Sequence, residues 1–300
     1  MTTDTPQMTR DTAPRAHMTG ARRRRVVSNL IIYTIGVMSL SAAGGIIMAG
    51  GAEAGALVFL TGPLLMAVLL RGFGGDGWAD AGLRLGALRW YPFAFLIFPV
   101  TFGLILGGGA LTGSIELSGT LGALLAAAAL ELAPRLVFAG FEEWGWRGYL
   151  EPRLAALGVP DLRRHFLVGL TWAAWHIPYI MTTPGYSELP PVVFAPLVLG
   201  GVMAMAVVYG QLRRASGSVW PVVIAHGIGN VFAFPLVFGG FAEFEHPALL
   251  ATRPENLLFI ALWASVGWMM IKRKAAEPVT GARPLRISSP DAAGSLGGSA

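Results

Sequence analysis

Four polar residues of the types used in catalysis lie within or directly after long apolar segments of this sequence. Glu142 belongs to FEEWGWRGYL, His176 to TWAAWHIPYI, and His226 and Asn230 to VIAHGIGN. Such a set contains what hydrolysis of an amide by water requires. The carboxylate can act as general base on a water, and a histidine or an asparagine amide can donate hydrogen bonds to the developing oxyanion. A histidine can also orient the water or protonate the leaving amine.

The same residue types allow a second chemistry. Glu142, His176 and His226 form a ligand set that can hold zinc with one position left open for water. The residue types are compatible with both chemistries. On the residues alone, both chemistries stay open. The chain has no cysteine, which excludes disulfides, thiolate metal sites and cysteine nucleophiles.

Two charged pairs lie on the same apolar segment as the candidate base. Glu143 and Arg147 are four residues apart, the spacing at which helical side chains meet, so we expect an ion pair that leaves Glu142 free. An alternative is an interfacial cluster in which these charges reach the headgroups beside an aromatic belt. Glu131 and Arg135 have the same spacing, and we interpret them as a structural ion pair facing the interior of the bundle.

The composition places these residues in a membrane. Hydrophobic residues make up 54% of the 300 residues and charged residues 13%, which is too little polar surface for a soluble globule. A spanning helix needs about 20 apolar residues. Eight segments qualify: 26–50, 54–70, 91–112, 121–140, 166–181, 192–212, 219–239 and 257–271. We therefore predict an all-α polytopic membrane protein with eight transmembrane helices in one bundle.

The basic residues alternate between the loops. They cluster at 22–25 before the first span and recur in every second loop, whereas the other loops carry mainly glutamate. By the positive-inside rule both termini are cytoplasmic. The net charge of +5 thus reflects topology, and we expect the lipid bilayer, not nucleic acid, as partner. The bias toward alanine, glycine and arginine over lysine indicates a bacterial cytoplasmic membrane.

The chain divides into one folded domain and two tails. We predict a disordered basic tail over 1–25, a transmembrane domain over 26–272 and a disordered cytoplasmic tail over 273–300, which is rich in Ala, Gly, Pro and Ser. The polar residues of interest lie in a motif core at 121–241.

Three motifs in this core resemble those of the CPBP intramembrane proteases. This family includes the Ras-converting CAAX prenyl proteases, the Abi proteins and proteins similar to lysostaphin resistance protein A. Its motifs are two glutamates followed after three residues by arginine, then Phe-x-x-x-His, then His-x-x-x-Asn. The matching residues are, in order, Glu142, Glu143 and Arg147; His176; and His226 and Asn230. Trp172 replaces the phenylalanine of the second motif.

The resemblance implies an eight-helix core with a site open to the cytoplasm. It implies Glu142 as general base, and His176, His226 and Asn230 as oxyanion donors. Glu143, Arg147 and Trp172 would support the site, the first two as a structural pair and the third through the shape of the pocket. We accordingly predict an intramembrane endopeptidase of glutamic or metallo type, whose substrate is a membrane protein or a lipid-anchored peptide. With this resemblance we assign no metal and expect no cofactor, and the alternative is zinc on Glu142, His176 and His226.

A non-enzymatic function is the alternative. A membrane scaffold or a proton-coupled transporter can use the same glutamate and histidine residues to bind a partner or to relay protons. Inverted repeats would support transport, and the sequence shows none.

Overall fold

The computed structural model describes residues 18–183, 187 and 189–276, and most of these are helical. Within this part of the chain a short 3-10 turn, Leu88–Trp90, precedes α3, and a π-helical turn, Trp146–Leu150, joins α4 to α5. The helices and strands are α1 (Gly20–Ala49), α2 (Ala54–Gly72), α3 (Tyr91–Thr112), β1 (Ile115–Leu117), α4 (Leu121–Gly145), α5 (Glu151–Ala156), α6 (Asp161–Thr182), α7 (Pro191–Ser216), α8 (Trp220–Phe238), β2 (Ala242–Phe244) and α9 (Leu257–Ala276).

Six helical segments of the described chain are long and apolar enough to cross a membrane. They are α1, α2, α3, the continuous stretch from α4 to α5, α7 and α8. The predicted all-α polytopic membrane fold is therefore confirmed, whereas the count of eight spans stays a prediction. The two helices that fall short are more polar: α6 has three charged residues among its first four and histidines at 165 and 176, and α9 carries three consecutive basic residues at 272–274. Both still pack in the bundle, α6 on α1 and α7, and α9 on α7.

Both ends of the described chain are more helical than predicted. The hydroxyl of Thr19 accepts a hydrogen bond from the backbone of Arg22, and α1 begins at Gly20. The basic cluster therefore continues the first helix, because arginine has a high helix propensity and a capping threonine precedes it. The disordered tail predicted for 1–25 is thus wrong from Gly20 onward, and residues 1–17 lie outside the described residues. At the other terminus α9 runs to Ala276, past the predicted boundary at 272, and 277–300 also lie outside.

The connections form two ends of different character. At the arginine-rich end, Arg71 pairs with Asp80 at 2.9 Å and Arg153 with Asp76 at 3.4 Å. The start of α1 belongs to this end, because Asn29 donates to Asp76 at 3.1 Å. At the opposite end β1, which precedes α4, pairs antiparallel with β2, which follows α8. The division follows the predicted alternation of arginine-bearing and glutamate-bearing loops.

The packing of α4 positions the site. A side chain at Gly145 would overlap Pro63 and Tyr33, so glycine allows α4 to approach α2 and α1 closely. A Cβ at Gly227 would lie 2.6 Å from Leu136, which marks the close approach of α8 to α4. The π-helical turn that follows α4, Trp146–Leu150, is entirely buried. Turns of this kind are frequent at functional sites.

Candidate active site

Three helices bring the predicted base and its neighbours together. Glu142 on α4 is 5% exposed, and one of its carboxylate oxygens, Oε1, lies 3.9 Å from Nε2 of His226 on α8. The other oxygen, Oε2, accepts a hydrogen bond of 2.8 Å from the indole N–H of Trp172 on α6. One oxygen of the carboxylate is thus held by the protein, and the other faces a histidine across a gap.

The second glutamate forms a buried pair with arginine and also contacts the histidine. Nη1 of Arg147 donates to both carboxylate oxygens of Glu143, at 3.0 and 2.9 Å, and both side chains are fully buried. Nδ1 of His226 lies 2.8 Å from Oε1 of Glu143. An ionised carboxylate can only accept, so Nδ1 carries the hydrogen and donates it. In the neutral ring Nε2, which faces Glu142, then has a lone pair.

The other two predicted residues lie beside this centre. His176 is one turn beyond Trp172 on α6, and its Nδ1 lies 2.9 Å from the carbonyl oxygen of Trp172. A carbonyl oxygen can only accept, so Nδ1 carries the hydrogen and donates it. In the neutral ring Nε2 then has the lone pair. Asn230 is one turn beyond His226 on α8 and is partly exposed. The structure therefore brings all four candidate catalytic residues to one region.

A cavity of about 1000 Å³ connects these residues to one end of the bundle. All four candidates line it, together with Trp172 and Tyr209. Its far end is formed by residues 51–54 between α1 and α2 and by residues 252–255 before α9. A cavity of this size is typical of a site for a small molecule or a peptide segment.

The cavity leads to the end of the bundle opposite the arginine-rich loops, whereas we expected the arginine-rich end. Residues 51–54 follow the C-terminal end of α1, opposite the arginine-rich loops. On the arginine-rich side the space is filled by Trp146, Arg147 and Tyr149, all 0% exposed. The resemblance implied a site open toward the arginine-rich, cytoplasmic side, whereas the cavity formed by the described residues leads to the other end. Burial of these bulky side chains in the π-helical turn is the physical reason.

The zinc alternative names Glu142, His176 and His226 as ligands. Among the described residues no group of three or more His, Asp or Glu side chains is placed to hold a metal ion. The protein engages Nδ1 of His226 and of His176 and Oε2 of Glu142, and metal-ligating histidines also commonly donate their second ring N–H in this way. We derive no step through a metal.

Sequence reasoning missed two contributions to the site. The motif comparison gave Trp172 a role in pocket shape, but its indole N–H holds the candidate base. Tyr209 on α7 is fully buried, lines the cavity and lies beside His226, with 5.9 Å between the ring centroids. The only sequence signal for Tyr209 is a single tyrosine within an apolar span, which is too common to indicate a site.

Trp172→Phe is expected to lower kcat by at least about tenfold, because a hydrogen bond to a charged group contributes about 1.5–3 kcal/mol. KM should change less than kcat, since the lost N–H donor contacts the base, although the ring also lines the cavity. Steady-state kinetics would measure both. Trp175→Phe is the matched control, because Trp175 is a buried tryptophan of the same helix whose indole N–H has no partner among the described residues. Equal effects of the two substitutions would show that ring volume, not the hydrogen bond, matters.

The fold and the site together define a class: a helical membrane protein with a buried glutamate and histidine centre at a cavity. The family model described as Type II CAAX prenyl endopeptidase Rce1-like matches residues 125–232. This range runs from α4 to α8 and contains every candidate site residue. The resemblance to the CPBP intramembrane proteases that was inferred from the three motifs is therefore confirmed over these residues. The search of curated proteins found no match.

Proposed function

We propose that this chain is an intramembrane endopeptidase that hydrolyses a peptide bond in a membrane protein or a lipid-anchored peptide. The observation that carries the proposal is the 3.9 Å gap between Oε1 of Glu142 and Nε2 of His226 at the cavity wall. Two acceptors at this separation can both accept hydrogen bonds from one water molecule, at about 2.8 Å each. A water held in this way is positioned for attack on a carbonyl carbon.

The water is activated by Glu142. Its Oε1 accepts one proton of the water while Nε2 of His226 accepts a hydrogen bond from the other, so that an oxygen lone pair is directed into the cavity. Trp172 holds Oε2 and thereby fixes the plane of the carboxylate. The oxygen of the water bonds to the carbonyl carbon, the C–N bond breaks, and Glu142 returns its proton to the leaving amine.

The developing oxyanion needs donors. The amide of Asn230 can donate in every protonation state of the site, and one such donor contributes about 3–4 kcal/mol in known hydrolases. His176 and His226 can donate from Nε2 only as imidazolium, because Nδ1 of each ring already donates to another acceptor. The histidines therefore serve the reaction first as acceptors and, when protonated, as donors.

Glu143 and Arg147 act on the reaction through His226. The carboxylate of Glu143 accepts from Nδ1 and so fixes the ring orientation and the tautomer that directs the Nε2 lone pair toward Glu142. Arg147 neutralises Glu143 and lies over the ring of Trp172, with 4.6 Å between its Cζ and the ring centroid. Glu143 thus positions His226 on one side of the water, and Arg147 packs on Trp172, which holds Glu142 on the other side.

We propose that the reaction is metal-free. Purified wild-type protein in lipid vesicles should release the same peptide fragments, at the same rate within about twofold, before and after treatment with a zinc chelator. Mass spectrometry of an anchored peptide library would detect the fragments, and metal analysis of the protein would accompany it. Activity lost on chelation and restored by zinc would favour a metalloprotease. No fragment from any member of the library would favour a scaffold or a transporter.

We also propose that α6 and α9 complete a set of eight spans with both termini on the cytoplasmic side of a bacterial membrane. Their support is the packing of both helices within the bundle and the collection of arginines at one end.

A further inference from the structure

Arg213, near the end of α7, donates a hydrogen bond to the backbone of the π-helical turn that carries Arg147. In this turn the N–H of Glu151 bonds to the carbonyl of Trp146, five residues earlier. The next donor in the same register would be residue 152, for the carbonyl of Arg147, but Pro152 has no backbone N–H. Nε of Arg213 donates to this carbonyl instead, at 3.2 Å. The arginine thus supplies the hydrogen bond that the proline cannot.

The connection between α2 and α3 is shaped to admit this arginine. Nη2 of Arg213 donates to the carbonyl of Asp80 at 2.9 Å. Gly82 has a φ of 74°, and a Cβ at this position would overlap the guanidinium. Glycine is the residue that adopts such a backbone readily and leaves the space free. Arg213 is therefore held on two sides, with Nε on the turn and Nη2 on the connection.

The side chain of Arg147 continues these contacts into the site. Its Nη1 donates to both oxygens of Glu143, and Glu143 accepts from Nδ1 of His226. Arg213 itself is not among the residues that line the described cavity. Any effect of Arg213 on the site therefore passes through the backbone of Arg147, which sets where that buried side chain begins.

A purely topological role is the plain alternative for Arg213. Arg213 and Arg214 both lie in the last turn of α7, at the arginine-rich end, where the helix dipole and the positive-inside rule favour positive charge. That role explains the charge of both residues but not the contact of one of them with a backbone carbonyl. Arg214 directs its Nε to the side chain of Gln211, at 3.1 Å. The two neighbours thus allow charge and contact to be separated.

We infer that Arg213 is a positioning residue of the site. By holding the backbone of Arg147 it fixes the pair of Arg147 and Glu143, and hence the ring of His226. The effect on the reaction rate rests on the proposed function, in which Nε2 of His226 accepts from the attacking water. The effect on the ring of His226 requires no reaction and can be measured without one.

Two substitutions of similar length test the contact. In Arg213→Gln the amide nitrogen takes the place of Nε and can still donate to the carbonyl of Arg147, whereas Arg213→Met has no donor. Full-length protein in lipid nanodiscs would carry isotope-labelled histidine, and NMR would follow the ring nitrogens of His226 at a pH where the ring is neutral. The chain contains five histidines, and the signal lost in His226→Gln identifies the correct one.

We expect Nδ1 of His226 to carry the hydrogen in the wild type, in Arg213→Gln and in the matched control Arg214→Met. In Arg213→Met the signal should divide between the two tautomers, because Glu143 is no longer held in place to accept from Nδ1. In a cleavage assay of Arg213→Met, kcat should fall by about tenfold or more while KM stays within about twofold, since Arg213 does not line the described cavity.

Three results would overturn the inference. The first is an unchanged His226 signal in Arg213→Met. The second is an Arg213→Gln variant that behaves as Arg213→Met does, because the positive charge and not the hydrogen bond would then matter. The third is an equal change of the signal in Arg214→Met, which would assign the effect to charge at the end of α7.

Pro152→Ala provides a second test, which also decides the matter if Arg213→Met does not fold. Alanine restores the N–H of residue 152, which can donate to the carbonyl of Arg147 in the register of the turn. Added to Arg213→Met, it should restore the His226 signal or, where the single variant is unfolded, a cooperative melting transition. If the double variant recovers neither, the missing hydrogen bond is not the cause and the inference is wrong.

The two readouts separate this inference from the proposed function. If the His226 signal depends on Arg213 as expected but the wild-type protein cleaves no peptide, the proposed function fails and the positioning role stands. If the wild-type protein cleaves peptides and Arg213→Met keeps both its His226 signal and its kcat, the positioning role fails and the proposed function stands.

Discussion

Glu142→Gln is expected to lower the rate of peptide cleavage by at least about 100-fold, because general base catalysis contributes about 10²–10⁴-fold. The fold should be retained, since glutamine has nearly the same volume and its carbonyl oxygen can still accept from the indole of Trp172. Cleavage of an anchored peptide in vesicles would measure the rate, and thermal unfolding in detergent would measure the stability. The variant should remain within a few degrees of the wild-type melting temperature.

Glu116→Gln is the matched control for this experiment. It makes the same chemical change on β1, where the side chain is exposed and remote from the cavity lining. Its activity should equal that of the wild type. Wild-type turnover by Glu142→Gln would remove Glu142 from the mechanism, and loss of both stability and activity would assign it a structural role instead.

The sequence predicts most of the architecture because the bilayer restricts what a chain can do. Apolar runs of spanning length gave the positions of α1, α2, α3, α7 and α8, and the basic loops gave one end of the bundle. The spacing of four residues gave the pair Glu143 and Arg147, since a helix fixes that geometry locally. These features depend on residues close together in the chain, which is why they can be inferred without coordinates.

Contacts between helices that are remote in the chain required the structure. The hydrogen bond from Trp172 to Glu142 joins residues 30 positions apart, and that between His226 and Glu143 joins residues 83 apart. Nothing in the sequence gives the rotation of α6 or α8 about its own axis, so neither contact was foreseen. The direction of the cavity was missed for a related reason. The π-helical turn after Gly145 places bulky side chains at the arginine-rich end, and periodicity arguments assume a regular α-helix.

Arg147→Met is expected to destabilise the protein by about 3–5 kcal/mol, the typical loss when one partner of a buried ion pair is removed. Methionine keeps much of the side-chain volume next to Trp172 and Tyr209, so the main effect is that Glu143 keeps its charge without the arginine. Reversible unfolding in mixed micelles, with denaturant titration, would measure the change. Arg135→Met is the matched control, since its pair on the same helix has the same spacing but is 20% and 35% exposed. It should lose clearly less than Arg147→Met, because both of its charges remain partly exposed.

Addition of Glu143→Gln to Arg147→Met distinguishes a stranded charge from lost packing. The double variant leaves no uncompensated carboxylate in the core, and replacement of both members of a buried pair is often close to neutral. It should therefore recover at least half of the stability that Arg147→Met loses. Because the glutamine carbonyl can still accept from Nδ1 of His226, part of the activity should return as well. If the double variant is as unstable as Arg147→Met, the arginine stabilises the site mainly through its contacts with the rings of Trp172 and Tyr209, at 4.6 and 5.0 Å.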